Sequence, residues 1–341
     1  MKILHIAEPQ TFTKPFFSLI EKNFEAKDHA ILTRGKSNGW PSELEIANKT
    51  LMGFAWASAF LNSSRKAEKI ILHGLWDFRL VVLLAMHPSL LAKCYWVIWG
   101  GDLYSHSVGK RSLKWYLAEF FRRPVIRRMG HLVTYVQGDA ELAREWYGAT
   151  GQYHECIMYT SNIYRDYEGK AQFHNTINIQ IGNSADPSNN HLDILEKLKP
   201  FQDKDIAIYA PLSYGDQVHA KKVIDAGKAI FGDKFKPMTN FMPLDQYLDF
   251  LGKIDIAVFN HKRQQAMGNT ITLLGLGKKV YMRSEITPWT MFETLQVKVF
   301  DIDVLNLNKI TEEVKNNNIQ RIKSRFSEFA LLSEFKLIFE G

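Results

Sequence analysis

Short apolar segments alternate with amphipathic ones along most of this chain of 341 residues, and this alternation is what most constrains its fold. In the first half, runs typical of strands cover residues 2–7, 30–33, 69–74, 94–99, 131–136 and 155–159, and helical periodicity covers 14–24, 43–62, 78–92, 110–129 and 138–148. In the second half the strands are 177–182, 205–210, 238–242, 254–259 and 278–283, and the helices are 189–199, 216–230, 244–252 and 269–276. Strands that alternate with helices in this way form parallel sheets with helices on both faces.

The alternation runs twice, and a polar stretch at about residues 160–175 separates the two runs. The length fits two domains of average size. Apolar residues make up 46% of the chain, so each half can bury a core of its own. We therefore predict an α/β protein with two Rossmann-like domains, residues 1–165 and 175–325, that face each other across a cleft. In such sheets ligands bind beyond the carboxyl ends of the strands, so the residues just after each strand are the first candidates for a site.

Several classes of protein are disfavoured by what the sequence lacks. The opening apolar stretch runs into Glu8 and Pro9, which predicts neither a signal peptide nor a membrane span, and no later stretch reaches the ~20 apolar residues of a spanning helix. Cys94 and Cys156 lie in apolar runs without the spacing of metal ligands, which favours buried free thiols in a reducing cytoplasm. The sequence has no P-loop, GxGxxG, HExxH or paired-acid motif, so neither a metal nor another cofactor is expected.

Two loops of the second half follow neighbouring predicted strands. The segment IGNSADPSNNH (181–191) offers hydroxyls, amides and a helix start that can hold a phosphate without a metal, although an ordinary capped turn explains the same residues equally well. The segment PLSYGD (211–216) adds Tyr214, which can stack on a base or sugar, and Gly215, which allows a tight turn. These loops indicate a donor site but do not establish one.

A third loop is more informative. Strand 254–259 ends in NHKRQQAMGNT (260–270), where a polar loop enters a helix. N–H groups at that helix start face a diphosphate and Arg263 adds a cation, although a solvated surface cation is the alternative for Arg263. The order of apolar strand, polar loop, Gly, helix, Gly-Lys-Lys and apolar strand resembles the donor region of GT-B glycosyltransferases, in which a helix N-terminus steadies the leaving nucleoside diphosphate.

In the first half, strand 94–99 is followed by two glycines and an acid, Gly100-Gly101-Asp102. A carboxylate at the end of a strand suits a general base that deprotonates an acceptor hydroxyl, or a group that orients the sugar. An Asx turn or an N-cap is the structural alternative. Strand 69–74 ends in His73, which is a candidate site residue, although a lone histidine is more often structural.

Four of these segments together closely resemble the TDP-N-acetylfucosamine:lipid II N-acetylfucosaminyltransferases, also described as 4-alpha-L-fucosyltransferases of glycosyltransferase family 56. They are WVIWGGDLY (96–104), IGNSADPSNNH (181–191), PLSYG (211–215) and RQQAMGNT (263–270). The resemblance spans roughly residues 1–300. It implies a GT-B fold and a peripheral enzyme on the cytoplasmic face of the bacterial inner membrane. It also implies a dTDP-activated 4-acetamido-4,6-dideoxygalactose (Fuc4NAc) donor and an undecaprenyl-pyrophosphate-linked acceptor, as in enterobacterial common antigen synthesis, with no nucleic-acid partner.

The motifs that carry the resemblance, together with the loops, give the candidate site residues. Asp102 is the catalytic candidate, with His73, Gly100 and Tyr104 on the acceptor side. The donor-binding candidates are Gly182, Asn183, Ser184, Asp186, Asn189, Ser213, Tyr214, Gly215, Arg263, Gln264, Gln265, Gly268, Asn269 and Thr270. Ala185, Pro187 and Met267 depart from the motifs, which leaves the sugar and the acceptor open. The alternatives are a GT-B transferase with another nucleotide sugar, such as a UDP-sugar, and a protein of this shape that binds a nucleotide sugar or carrier lipid without turnover.

The basic charge of the chain is concentrated in one segment. The net charge is +7, and residues 106–130 contain seven Lys or Arg residues and one acid, Glu119. On a helix, Leu113, Tyr116, Leu117, Phe120 and Phe121 gather at steps of three and four, which predicts a helix that lies in the interface of an anionic membrane; a stripe packed on the core is the alternative. The membrane candidates are Lys110, Arg111, Lys114, Trp115, Phe120, Phe121, Arg122, Arg123, Arg127 and Arg128. Pro124 is expected to end or kink the helix.

Overall fold

The computed structural model describes residues 2–10, 12–34, 47–108, 111–166 and 175–341, so the membrane candidate Lys110 lies outside the described residues. The chain divides into two compact units. The first is Met1–Asn162 together with Glu328–Gly341, and the second is Ile163–Ser327.

The first unit contains a parallel sheet with its helices in the connections between strands. Its strands are β1 (Ile3–Ile6), β2 (His29–Arg34), β3 (Ala47–Leu51), β4 (Lys69–His73), β5 (Cys94–Val97), β6 (His131–Val133) and β7 (Gln152–His154). Its helices begin with α1 (Thr13–Asn23), α2 (Gly53–Lys66), α3 (Phe78–Met86), α4 (Gly101–Tyr104), α5 (Leu113–Arg127) and α6 (Gln137–Tyr147). The strand order is β3-β2-β1-β4-β5-β6-β7, so the chain changes direction across the sheet between β1 and β4.

The second unit repeats this plan. Its strands are β8 (Ile177–Ile181), β9 (Ile206–Pro211), β10 (Phe235–Met238), β11 (Ile256–Phe259), β12 (Lys279–Met282) and β13 (Phe300–Asp301). Its helices are α7 (His191–Leu198), α8 (Gln217–Phe231), α9 (Leu244–Lys253), α10 (Met267–Gly275), α11 (Thr287–Thr294) and α12 (Glu312–Arg325). The order β10-β9-β8-β11-β12-β13, with every neighbouring pair parallel, places the change of direction between β8 and β11. The predicted pair of parallel-sheet α/β domains is therefore confirmed.

Continuous apolar strands form the centre of each sheet because a doubly covered strand buries both of its faces. Ile70, Ile71 and Leu72 of β4 are fully buried, and β11 is buried along its whole length. Each unit has its own hydrophobic cluster. Both cysteines are free and buried, as predicted, and burial raises the pKa of the Cys94 thiol to about 12.

The last helix, α13 (Glu328–Phe339), belongs to the first unit although it follows the second in sequence. Its Phe335 ring meets Phe16 of α1 edge-on at 5.5 Å. Its Glu334 carboxylate accepts the backbone N–H of Ile157 at 2.7 Å. The helix therefore completes a core whose other elements all lie within the first half of the chain.

Three local predictions were wrong. Residues 43–62 do not form one helix, because 47–51 pair with β2 as an edge strand and α2 begins only at Gly53. The strands predicted at 155–159 and 238–242 lie about three residues earlier, as β7 and β10. Pro124 does not end α5, which continues to Arg127 with Val125 and Ile126 fully buried against the core.

Candidate active site

Two of the candidate donor loops meet at the carboxyl ends of β8 and β11. These strands are neighbours in the sheet, so the loops that leave them run side by side. Ser188 Oγ donates a hydrogen bond to Gln265 Oε1 at 2.7 Å, and His261 Nε2 lies 2.8 Å from Asn189 Oδ1. The two segments that the sequence singled out therefore form one cross-linked surface at the point where doubly wound sheets bind ligands.

Gly182 allows the first donor loop to turn tightly over buried polar groups. Its φ is +62°, and a Cβ there would lie 2.4 Å from His191 Nε2 and 2.7 Å from Asn189 Oδ1. Asn189 Oδ1 also accepts the backbone N–H of Asn183 at 2.9 Å. Asn189 is fully buried, so it holds the loop from beneath and is not exposed to a ligand.

Other buried candidates likewise support the loops. Ser184 and Thr270 are buried, and Thr270 Oγ1 donates to the Ala266 carbonyl at 3.1 Å. Asp186 caps the turn after it, since its carboxylate accepts the backbone N–H and the hydroxyl of Ser188 at 2.8 and 2.6 Å. Gly215 pairs with Ala185 in an isolated parallel bridge, which links the second donor loop to the first.

The start of α10 carries the positive electrostatic character of this surface. Ala266, the residue before the helix, has a φ of +57° and no side chain caps the helix start. Gly268 and Asn269 occupy the first turn, where N–H groups point away from the helix. Arg263 is half-buried beside it, and its charge helps to lower the pKa of Asp186 and of His261. Gln264 is buried, and its Oε1 has no hydrogen-bond partner among the described residues.

Two tyrosines lie at the other end of this surface. Tyr214 is exposed, and its hydroxyl accepts a hydrogen bond from Asn183 Nδ2 at 3.3 Å, beside the half-buried Ser213. Tyr247 of α9 has hydrogen bonds with Gln180 and Asn269, and burial raises its pKa. Sequence reasoning missed Tyr247 and Gln180. The signal was Gln180 itself, a fully buried amide inside an apolar strand, whose Oε1 has no partner among the described residues.

In the first unit, the interpretation of Asp102 as the general base was wrong. Asp102 is fully buried, and its Oδ1 accepts the backbone N–H groups of Trp99 and Leu103, both at 3.0 Å. Its Oδ2 accepts the Leu75 backbone N–H at 3.0 Å and the Trp96 indole N–H at 2.8 Å. Burial raises the pKa of this carboxyl and the N–H donors oppose that shift. A carboxylate enclosed by four donors fixes the strand ends and cannot reach an acceptor hydroxyl.

The other acceptor-side candidates lie in three different environments in the structure. Tyr104 is buried and its hydroxyl donates to Asp139 Oδ1 at 3.1 Å, so its place on the acceptor side was wrong. Gly100 begins α4 with a φ of +83° and has a backbone role. His73 does line a pocket, but it also belongs to a buried chain in which His5 lies 2.9 Å from His29 and 3.1 Å from His73. His73 Nδ1 in turn lies 2.6 Å from the Tyr159 hydroxyl.

That pocket lies at the carboxyl ends of β1, β2, β4 and β5 and has a volume of about 50 Å³. It is lined by Ile6, Ala7, Glu8, Gln10, Thr13, Leu32, Arg34, Trp56, His73, Gly74, Trp76, Asp77, Leu80 and Trp99. Arg34 forms an ion pair with Asp77, and its guanidinium lies 5.6 Å from the centroid of the Trp56 ring. Apart from His73, sequence reasoning missed this site, because its polar residues come from four separate loops without a shared motif.

The basic helix α5 exposes its apolar stripe to solvent. Leu113 is 89% exposed and Phe120 is 71% exposed, and Tyr116 and Leu117 lie between them, so the alternative of a stripe packed on the core was wrong. Arg111, Lys114, Arg123, Arg127 and Arg128 are also exposed. None of the helices in the part of the chain that the structure describes has the length and apolar character needed to cross a bilayer.

Three of the membrane candidates make contacts within the protein, so their assignment to the membrane surface was wrong. Arg122 is buried, donates to the backbone carbonyl of Asp102 and pairs with Glu119 at 3.6 Å. The Trp115 indole donates to the Ser105 carbonyl at 2.8 Å. Phe121 packs on the core cluster, so only part of the predicted surface is available to a membrane.

Comparison with known proteins identifies both the family and the fold. The family profile described as 4-alpha-L-fucosyltransferase, glycosyl transferase group 56, matches residues 38–333. The Anabaena protein Alr3699/HepE, solved in complex with UDP, superposes with a TM-score of 0.70 at 9% identity and covers 100% of this chain and 99% of its own. Sucrose-phosphate synthase from Thermosynechococcus elongatus gives 0.68 at 10% identity, with 99% of this chain and 98% of its own. A glycosyltransferase from Rickettsia africae gives 0.65 at 11% identity, with 99% and 97%. At such low identity these structures show the fold alone, and the predicted GT-B fold is confirmed.

Proposed function

Because this chain belongs to the 4-alpha-L-fucosyltransferases of glycosyltransferase group 56, we propose that it transfers Fuc4NAc from a dTDP-sugar onto an undecaprenyl-pyrophosphate-linked oligosaccharide. The family match over residues 38–333 is the observation that carries this proposal. The product belongs to enterobacterial common antigen or a related surface polysaccharide. The protein works at the cytoplasmic face of the bacterial inner membrane, as a peripheral enzyme.

The experiment that tests this function has two parts. A panel of nucleotides and nucleotide sugars is first compared by thermal shift, because a donor that binds only the folded state raises the melting temperature. The dTDP-Fuc4NAc donor is then supplied with a lipid-linked acceptor and the product is followed. A larger shift with UDP than with dTDP favours a different nucleotide sugar, a reading that the UDP complex of the Anabaena protein supports. Binding without transfer favours the non-catalytic reading.

The donor surface of the second unit fits a nucleoside diphosphate. The uncapped start of α10 presents N–H groups, and a helix N-terminus stabilises negative charge. Arg263 stands beside it as a cation that can pair with phosphate oxygens. Tyr214 and Tyr247 offer aromatic rings for the base or the sugar. In transfer, the diphosphate gains negative charge as the bond to the sugar breaks, and this positive surface stabilises that charge.

Replacing Arg263 is expected to weaken donor binding. Arg263→Ala removes a charge-assisted contact with the diphosphate and should cost ~1.5–3 kcal/mol, or roughly ten- to a hundredfold in the dTDP dissociation constant measured by calorimetry. Lys262→Ala, at the exposed neighbouring position, is the matched control and should bind as wild type does. Activity should persist in EDTA, because protein groups supply the positive charge. Activity that is lost in EDTA and returns with Mg²⁺ would contradict this donor site.

The exposed face of α5 supports the proposed membrane location. Large apolar side chains and exposed bases on one helix can lie at headgroup depth, and each base near an anionic surface contributes ~1 kcal/mol. We expect sedimentation with vesicles that contain anionic lipid, weakened by salt. Reversing Arg123, Arg127 and Arg128 to Glu should remove vesicle binding and lower activity on a lipid-linked acceptor, while dTDP affinity stays unchanged.

The matched control reverses three exposed bases on α8 of the second unit, Lys221, Lys222 and Lys228. It changes the net charge by the same amount and should still sediment with the vesicles. Arg122 is left intact, because its buried hydrogen bonds would confound the result with unfolding. Equal loss in both triple variants would show that total charge, and not this helix, drives docking.

A further inference from the structure

The pocket of the first unit contains two carboxylates among its described lining residues, Glu8 and Asp77. Both carboxylate oxygens of Asp77 have partners within the protein. One pairs with Arg34, and Oδ1 caps α3 by accepting the Arg79 backbone N–H at 3.0 Å. Glu8 is exposed, in the loop directly after β1. With Asp102 enclosed by its four donors, Glu8 is the carboxylate that this pocket presents to a ligand.

The backbone that carries Glu8 is held in place. Thr13 Oγ1 lies 3.2 Å from the Glu8 carbonyl oxygen and accepts the Gln10 backbone N–H at 2.9 Å, which ties the loop to the start of α1. The loop leaves β1 at the change of direction between β1 and β4, where doubly wound sheets bind ligands. The backbone of Glu8 is therefore held in place, and the residue is exposed to solvent.

An indole forms one wall of the pocket. Trp76 is 55% exposed although it is a large aromatic side chain. It lies over two glycines, since a Cβ on Gly101 would come 2.5 Å from its Cη2 atom and a Cβ on Gly74 would come 2.6 Å from its Nε1 atom. Gly74 after β4 and Gly101 after β5 therefore make room for this ring. Trp56 and Trp99 also line the pocket, which combines aromatic faces with a few polar groups, as small-molecule sites do.

We propose that the acceptor saccharide binds at the mouth of this pocket, against the exposed Trp76 ring, and that Glu8 is the catalytic base of the transfer, an inference that rests on the proposed function. The O–H bond of the attacking acceptor hydroxyl breaks and its proton passes to the Glu8 carboxylate. The acceptor oxygen forms the new bond to the anomeric carbon of the donor sugar. The bond from that carbon to the diphosphate breaks, and its electron pair leaves with dTDP. Glu8 then returns its proton to water.

The remaining polar groups of the pocket give the acceptor its orientation. The Arg34–Asp77 pair offers N–H donors and a carboxylate side by side, which suits neighbouring sugar hydroxyls that both donate and accept hydrogen bonds. The Trp76 ring provides a flat apolar surface for the face of a sugar ring. The substrate class is therefore a saccharide that binds with its attacking hydroxyl toward Glu8.

The test compares Glu8→Gln with Glu25→Gln, a control at an exposed acid on the same unit. Loss of a general base costs ~10²–10⁴-fold in rate, so Glu8→Gln should lower kcat by that factor, with an unchanged melting temperature and dTDP dissociation constant. Trp76→Ala should raise the acceptor KM about two- to tenfold with little change in kcat.

One outcome would overturn the assignment while the proposed function stands, namely a Glu8→Gln variant that retains more than a tenth of wild-type kcat. If wild type transfers no sugar from the dTDP donor, the proposed function fails instead. The pocket is then judged by binding, with a short-chain analogue of the lipid-linked acceptor that should quench wild-type fluorescence more than that of Trp76→Ala; equal quenching would reject the pocket.

Discussion

Lowering the pH from about 7.5 to about 5 is expected to unfold much of this protein, because it buries several neutral histidines. Burial lowers the pKa of His73, His191 and His261 to about 3 and that of His29 to about 4, and it lowers the pKa of His5 still more clearly, with the neighbouring histidines adding to the shift. The unfolded chain binds these protons near pH 6.5. The stabilisation is therefore complete above that pH and is lost as the pH falls toward the folded values.

The size of the effect follows from linkage. Each histidine that stays neutral in the folded state at about pH 5 costs up to ~2 kcal/mol relative to the unfolded state. Several such groups together approach the ~5–15 kcal/mol that stabilises a typical domain.

Thermal unfolding across this pH range, at constant ionic strength, measures the effect. A variant with His5→Leu should be less stable at neutral pH but should lose less stability on acidification, because the central titrating group is gone. His87, which is half-buried at the end of α3, provides the control His87→Asn, which should keep the wild-type dependence of melting temperature on pH. A melting temperature that is the same at about pH 5 and pH 7.5 would contradict the neutral histidine chain.

Replacing Asp102 is expected to unfold the first unit. Asp102→Ala leaves the four buried N–H donors of Leu75, Trp96, Trp99 and Leu103 without an acceptor. Each unsatisfied buried donor costs ~1–3 kcal/mol, so the total is comparable to the stability of a domain. Asp102→Asn should also be destabilised, because its amide N–H₂ would face N–H donors.

Soluble yield and thermal unfolding followed by circular dichroism give the readout. Asp28→Asn, which removes a surface carboxylate paired with Lys2, is the control and should melt close to wild type. A folded Asp102→Ala variant with a wild-type melting temperature and selectively lost turnover would return Asp102 to a catalytic role. The comparison with Glu8→Gln therefore separates a carboxylate that holds the fold from one that acts on substrate.

The repeated sheet could be predicted from the sequence because its signal is local. Runs such as Ile70–Leu72 and the strand at Ile256–Phe259 are apolar throughout, and the loop after Ile256–Phe259 carries amide residues of the candidate donor site. The closeness of the segments 181–191 and 260–270, in contrast, follows from the strand order, which places β8 beside β11.

The role of Asp102 could not be predicted, because it depends on distant contacts. Its Oδ2 atom is occupied by the Leu75 backbone, which lies 27 residues earlier in the chain. The acceptor pocket was missed for the same reason, since Glu8, Arg34 and Trp76 are unremarkable in their own segments. Helix α13 gave no local sign of which sheet it joins. Helical periodicity shows which face of a helix is buried, but it does not show which sheet that face packs against.

The position of α13 has a consequence for the order in which the chain folds during its synthesis. The second unit is one continuous segment and can fold as soon as the ribosome has released it. The first unit must wait, because the helix that carries Phe335 and Phe339 into its core emerges only after the whole second unit, ~10–30 s after Asn162 at bacterial translation rates. During that interval the first unit lacks this helix, and we expect chaperones to protect its exposed apolar surface.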